Sequence, residues 1–136
     1  MTFVMLVGED LALLEGLAQT LGALGHTSRV AKTLLEAREM ASAQAPLVLV
    51  VDRALASSGG AELLSTPLAA GGARLLYRTA SMPLAPLLPA LQRAVLADLT
   101  LPLERHRLTA LVQSVGERAR ASGRSPRQTP PETRTP

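Results

Sequence analysis

The stretch VLVVDRAL, residues 48–55, sets four apolar residues in a row and follows them with an acid, Asp52. A run of β-branched and apolar residues without polar alternation is typical of a parallel strand that is covered on both faces. We therefore expect this strand near the centre of a sheet. Because ligand sites of open parallel sheets lie outside the carboxyl ends of the strands, Asp52 is the first candidate site residue.

Short apolar runs alternate with longer segments of helical period on both sides of this stretch. The predicted strands are 2–7, 26–31, 46–51, 73–77 and 97–101. The predicted helices are 11–25, 33–44, 61–70, one that begins near Pro89, and 102–120, with a loop at 57–60. Such alternation predicts an α/β fold with a five-stranded parallel sheet and helices on both faces.

This pattern predicts a single domain, residues 1–120. Residues 121–136 contain Pro, Ser, Thr and Arg but almost no apolar side chains. Such a segment cannot bury enough surface to offset the entropy that ordering costs. We therefore expect a disordered tail there, with no output domain after the sheet.

Composition and charge exclude several classes of function. The chain has no cysteine, so disulfides, thiolate metal sites and cysteine nucleophiles are ruled out. No signal peptide and no apolar segment of membrane-spanning length is recognisable, so we expect a cytoplasmic protein without membrane contact. The net charge of +3 lies mostly in the tail, where three arginines stand against one glutamate. We therefore do not expect a nucleic-acid-binding face.

Polar groups at three strand ends would meet at one edge of this sheet. They are Glu9 and Asp10 after the first strand, Asp52 after the third, and Thr79 after the fourth. Carboxylates collected from two strand ends suit a hard divalent cation such as magnesium, which also holds phosphate oxygens. A carboxylate beside that ion can attack a phosphoryl group while a hydroxyl stabilises its oxygens. In this hypothesis Asp52 is the nucleophile, and Glu9, Asp10 and Asp52 are the metal ligands.

Each of these residues also has a purely structural interpretation. Asp52 can be a strand-end cap that hydrogen-bonds the segment after it. Glu9 and Asp10 precede a helix, where carboxylates cap the first turn and complement the helix dipole. Thr79 is also an ordinary β-branched strand residue. The sequence leaves both interpretations open.

Four motifs occur together along the chain: LVGEDLALLEGL (6–17), VLVVDRALASSGGAELL (48–64), YRTAS (77–81) and LTLP (99–102). In their order and spacing, residues 3 to about 118 resemble the receiver domain of two-component response regulators. The resemblance implies a flavodoxin-like, CheY-like sheet, with Asp52 as phosphoacceptor and Thr79 in contact with the phosphoryl oxygens. It also implies magnesium at the acidic first loop and Asp52.

The chain departs from that family at three positions. Gly8 stands where receivers have the first of two adjacent acids, and Glu9 is the second, so magnesium binding is expected to be weakened. Leu101 replaces the lysine that pairs with the acyl phosphate. Asp98 takes the place of the aromatic switch residue. We therefore expect a degenerate receiver, or pseudo-receiver.

No residue is an obvious substitute for the missing lysine. The single lysine, Lys32, belongs to the second β–α junction. Arg53, next to Asp52, and Arg78, next to Thr79, are the two candidates, but a guanidinium differs from an ammonium in geometry. We expect phosphorylation at Asp52 to be inefficient or absent.

These observations lead to several functional hypotheses. The preferred one is a stand-alone pseudo-receiver in bacterial two-component phosphorelay signalling, not an enzyme, that acts through protein–protein interaction. Its partner would be a sensor kinase or another signalling protein on the face formed by residues 83–118, where Leu84, Leu87 and Leu88 are apolar, or a second copy in a homodimer. The alternatives are a working receiver that uses Asp52 with magnesium and, more remotely, a small nucleotide- or flavin-binding protein.

Overall fold

The computed structural model describes residues 2–79 and 87–128. Its elements, in chain order, are β1 (Phe3–Val7), α1 (Leu11–Ala23), β2 (Thr27–Ala31), α2 (Leu34–Ala43), β3 (Val48–Asp52), α3 (Arg53–Ser58), α4 (Gly60–Ser65), β4 (Ala73–Thr79), α5 (Pro89–Ala94), β5 (Val95–Leu101) and α6 (Arg105–Gln128).

All five strands run parallel in the order β2-β1-β3-β4-β5, so the predicted fold class is confirmed. β3 lies at the centre, and all five of its residues are buried. One core cluster packs α1 and α6 against one face of the sheet, and a second packs α2, α3, α4 and α5 against the other. The unalternated apolar run of β3 is therefore explained by helices that cover both of its faces.

The segment after β3 differs from the sequence prediction. A helix, α3, begins at Arg53, where no helix was predicted, and includes Ser57 and Ser58, the first two residues of the predicted loop. The side chain of Asp52 caps it, with Oδ1 accepting a hydrogen bond from the Ala54 amide at 2.8 Å. This cap supplies a partner for a free amide of the first turn, which allows the helix to start directly at the strand end.

α4 ends at Ser65, earlier than the predicted 70, because Thr66 precedes Pro67 and is extended, and Arg74 of β4 binds the carboxyl end of the helix. The Arg74 guanidinium donates hydrogen bonds to the carbonyl oxygens of Leu63, Leu64 and Thr66 at 3.2, 3.1 and 2.9 Å. These carbonyls belong to the last turn, where the helix itself offers no donors.

The last helix also differs in its bounds. It begins at Arg105 rather than 102 and continues to Gln128, into the segment predicted to be a disordered tail. Ala119, Arg120 and Ala121 have high helix propensity, so no helix-terminating residue stands at position 120. Residues 129–136 lie outside the described residues, and the domain boundary itself stays a prediction. Within the described ranges, no helix is both long and apolar enough to cross a membrane.

Candidate functional site

The predicted site residues converge at the carboxyl ends of the central strands. Asp52, the last residue of β3, pairs in register with Tyr77 of β4. Thr79 ends β4 and pairs with Leu101, the last residue of β5. Gly8 follows β1, which lies on the other side of β3. We call this region, with Glu9 and Asp10, the acidic edge.

Asp52 is almost completely buried, with 8% of the residue exposed. Burial raises the pKa of its carboxyl group, the hydrogen bond from the Ala54 amide opposes this, and the negative charges of Glu9 and Asp10 add to the rise. The cap described above is the structural role that the sequence left open. Asp52 therefore ends β3 and serves as the N-terminal cap of α3.

Asp10 likewise acts as a helix cap, and Glu9 is exposed beside it. The Asp10 carboxylate accepts a hydrogen bond from the Leu13 amide at 3.1 Å, at the start of α1. In the part of the chain that the structure describes, no group of three or more His, Cys, Asp or Glu side chains is placed to hold a metal ion. The three predicted ligands, Glu9, Asp10 and Asp52, thus do not form a ready coordination set.

Tyr77 is the residue that sequence reasoning missed. It is fully buried, and among the described residues its hydroxyl oxygen has no hydrogen-bond partner. A Cβ atom built on Gly8 would lie less than 3.0 Å from this oxygen, 3.3 Å from Tyr77 Cζ and 3.4 Å from Asp52 Cβ. The phenol therefore occupies the space that a side chain at position 8 would need.

The surroundings of Tyr77 are apolar on one side and negative on the other. Burial raises the pKa of its hydroxyl above the usual range, and the charges of Asp52, Asp10 and Glu9 raise it further. Leu101 is fully buried in the same core cluster as Tyr77. A neutral phenol and a leucine thus fill the interior behind Asp52, and the residues present do not fit a magnesium ion there.

An ion pair lies on the opposite face of the sheet. Asp98 alternates with Leu99 and Leu101 along β5, so it points away from the Tyr77 side. The Arg53 guanidinium pairs with the Asp98 carboxylate, and their side chains are 11% and 35% exposed. Arg53, a candidate substitute for lysine, is therefore engaged with the residue at the predicted switch position.

The other candidate substitute, Arg78, lies near Glu104. The hydrogen bond from the Thr100 amide is the main cause that lowers the pKa of Glu104, and the charge of Arg78 contributes less. The neighbouring charges that shift the pKa of Asp52 are those of Glu9 and Asp10, both negative. Neither arginine is thus supported as a replacement for the lysine.

The predicted partner face is only partly described, since Leu84 lies outside the described residues. Leu87 is partly buried against the core, whereas Leu88 and Leu96 are 69% and 47% exposed. A cavity of about 360 Å³ opens between α5 and β5 and is lined in part by Leu87, Leu96 and the Arg53–Asp98 pair. The apolar character predicted for this face is present in its described part.

No sequence-family model matches the chain, and the comparison with curated proteins gives no match either. Solved structures do match. NtrX from Brucella abortus, in complex with ADP, aligns over 91% of this chain with a TM-score of 0.71 and 17% identity, and this chain spans 28% of the NtrX chain.

Two smaller proteins align over most of their length. A response regulator receiver domain protein (CheY-like) from Methanospirillum hungatei JF-1 matches with a TM-score of 0.66 and 20% identity, over 85% of this chain and 97% of its own. A response regulator receiver domain (CheY-like) from Methylobacillus flagellatus matches with a TM-score of 0.69 and 15% identity, over 85% of this chain and 98% of its own. Together with the parallel sheet in the order β2-β1-β3-β4-β5, these likenesses show that the chain has the fold of response regulator receiver domains.

Proposed function

We propose that the protein is a pseudo-receiver of two-component signalling, which acts through protein contacts rather than through magnesium-dependent phosphorylation of Asp52. The observation that carries this proposal is the filled interior of the acidic edge. Tyr77 and Leu101 are fully buried behind Asp52, where phosphoryl transfer needs a cation and a second positive charge. The receiver fold supports the signalling role.

The surface offers a place for such contacts. Leu88 and Leu96 expose apolar side chains on the α5–β5 face, next to the cavity that the Arg53–Asp98 pair lines. Protein interfaces combine an apolar core with a polar rim, and this face offers apolar side chains with a charged pair beside them. A sensor kinase, another signalling protein or a second copy of the chain is the proposed partner on this face.

The nucleotide- or flavin-binding alternative gains no support. Glu9 and Asp10 are exposed after β1, where that function requires a loop that attracts phosphate. Their carboxylates would repel it. The working-receiver alternative likewise lacks a specific observation in its favour.

Beryllofluoride, a phosphoryl mimic, tests the chemical half of the proposal. Wild type and Asp52→Asn are incubated with beryllofluoride and magnesium, and adducts are measured by native mass spectrometry beside a working receiver domain as positive control. We expect no magnesium-dependent adduct on either variant. An adduct on the wild type that Asp52→Asn abolishes would refute the proposal and establish a working receiver.

Binding to immobilised sensor kinases and self-association by light scattering test the contact half. Leu96→Asp places a charge on the α5–β5 face, and Leu24→Asp, at the C-terminal cap of α1 and 55% exposed, is the matched control. We expect Leu96→Asp to lose binding, whereas Leu24→Asp and Asp52→Asn retain it. Binding that requires an intact Asp52 would contradict the proposal.

A further inference from the structure

We infer that Tyr77 and Gly8 form a matched pair that keeps divalent cations out of the acidic edge. The phenol hydroxyl occupies the volume that an acidic side chain at position 8 and its bound cation would need, and glycine is the residue that makes room for the hydroxyl. This inference rests on the proposed function, because both assign the loss of phosphoryl chemistry to the same edge of the sheet.

Gly8 is explained by the lack of room for a side chain, and not by its backbone conformation. Among the described glycines only Gly25 and Gly71 have positive φ, so the backbone at Gly8 accepts any L residue. A Cβ at Gly8 would nevertheless overlap Tyr77 Oη and touch Asp52 Cβ at 3.4 Å. Alanine or any larger residue would therefore require the tyrosine ring or the strand to shift, mainly because of one atom, the tyrosine oxygen.

A role for Tyr77 as an ordinary core residue does not account for its hydroxyl. The ring packs in the cluster formed with Leu75, Leu99 and Leu101, and a phenylalanine would pack there equally well. A buried tyrosine hydroxyl normally has a hydrogen-bond partner, and the one on Tyr77 has none among the described residues. The oxygen instead points to the acidic edge, where it lies beside Gly8 and Asp52.

The cation's requirements show why this arrangement excludes it. Magnesium binds through oxygens at about 2.0–2.1 Å in a nearly octahedral shell and keeps several waters. The edge offers a neutral phenol in place of a carboxylate, and Asp10 already accepts the Leu13 amide. Full burial of Tyr77 and Leu101 leaves no solvent layer on the inner side of Asp52.

The test removes the phenol of Tyr77 and adds a carboxylate at position 8. Gly8→Asp/Tyr77→Leu adds the carboxylate and removes the phenol, whereas Gly16→Asp/Tyr77→Leu adds the same charge at an exposed glycine of α1 with nothing within 4 Å. Mn²⁺ binding is measured by electron paramagnetic resonance, because Mn²⁺ takes the same oxygen ligands as magnesium. Tyr77→Phe, which keeps the ring, is the third protein.

We expect Gly8→Asp/Tyr77→Leu to bind Mn²⁺ at least about tenfold more tightly than wild type, Tyr77→Phe or the Gly16 control, since affinity follows the number of charged ligands. Addition of Asp52→Asn should remove that gain. If the folded double variant binds no more tightly than the Gly16 control, the inference is wrong. It is also wrong if Gly8→Asp alone binds as tightly as the double variant, because the phenol would then exclude nothing.

Packing is tested separately, so the inference does not depend on the double variant folding. Gly8→Ala should lower the urea midpoint of the wild type but not that of Tyr77→Phe, and equal shifts would overturn the pairing. Neither readout involves a partner or phosphorylation. Failure of partner binding would therefore count against the proposed function and not against the Gly8–Tyr77 pair. Failure of both the Mn²⁺ and the urea measurements would refute the pair and not the partner contacts.

Discussion

The overlap between position 8 and the Tyr77 hydroxyl makes a quantitative prediction about stability. The perturbation is Gly8→Ala, made once in the wild type and once in Tyr77→Phe. The four proteins form a double-mutant cycle in which the phenol oxygen is the only atom that differs between the two backgrounds. The cycle therefore measures the interaction of the added methyl group with that oxygen.

The magnitude follows from the distances. In the wild type the methyl group would lie less than 3.0 Å from Oη, so the ring or strand must shift, and overpacking of this kind costs about 1–3 kcal/mol. In Tyr77→Phe the nearest ring atom is Cζ at 3.3 Å, a tight contact that small shifts relieve. There the loss of glycine entropy in the unfolded chain, about 0.4–1 kcal/mol in favour of alanine, offsets the contact. We expect a coupling free energy of about 1–3 kcal/mol.

Tyr77→Phe alone should leave the free energy of unfolding unchanged or raise it by about 1 kcal/mol, because it removes a buried hydroxyl that has no partner among the described residues. The assay is urea unfolding of all four proteins, followed by far-ultraviolet circular dichroism at one pH and temperature. If Gly8→Ala costs the same in both backgrounds, the oxygen does not determine the glycine, and the reasoning fails.

Three further predictions concern the surroundings of the site. Asp52→Asn keeps the cap acceptor and removes a buried charge. Because burial raises the folded-state pKa of Asp52, its ionisation lowers the stability of the wild type as pH rises through that pKa. In urea unfolding across pH, the variant should therefore be more stable than the wild type at pH 7 and lose this advantage below the usual pKa of 3.8. Asp98→Asn removes the charge that pairs with Arg53 and should lower the free energy of unfolding by about 1–2 kcal/mol. Arg107→Gln breaks an exposed ion pair and should change that free energy by less than about 1 kcal/mol in the same urea assay. Arg74→Met should cost about 2–3 kcal/mol in thermal unfolding, because three carbonyl groups at the end of α4 lose their donor.

The fold was predictable because its strongest signals are local. The unbroken apolar run of residues 48–51 and the alternation of strand and helix patterns are sufficient for a parallel sheet covered on both faces. Parallel strands then bring Gly8, Asp52 and Thr79 to one edge without further information. The departures at Leu101 and Asp98 were visible for the same reason, since each is a single residue at a definite place in a motif.

The filled interior of the site was not predictable, because it depends on contacts between distant segments. Tyr77 was assigned only to a strand, and nothing in its neighbours shows that its hydroxyl ends beside Gly8. The one signal was the coincidence of the chain's single tyrosine with a glycine at an acid position. The pairing of Arg53 with Asp98, 45 residues away, is equally invisible to local patterns.

The start of α3 was missed for an energetic reason. Residues 57–60 contain two serines and two glycines, which favour a loop, whereas the cap that Asp52 provides favours a helix from Arg53 onward. One side-chain acceptor at the right position offsets a modest preference of several residues. The extension of α6 beyond 120 follows the same principle, since weak local preferences do not define where a packed helix ends.

The single tyrosine has a practical consequence. With no tryptophan in the chain, ultraviolet emission above the phenylalanine range comes from Tyr77 alone. The chromophore is fully buried beside the acidic edge, so a soluble collisional quencher such as acrylamide has no access to it in the folded protein. Any partner, ion or substitution that opens this edge would be recorded as increased quenching, without a label and at micromolar protein concentration.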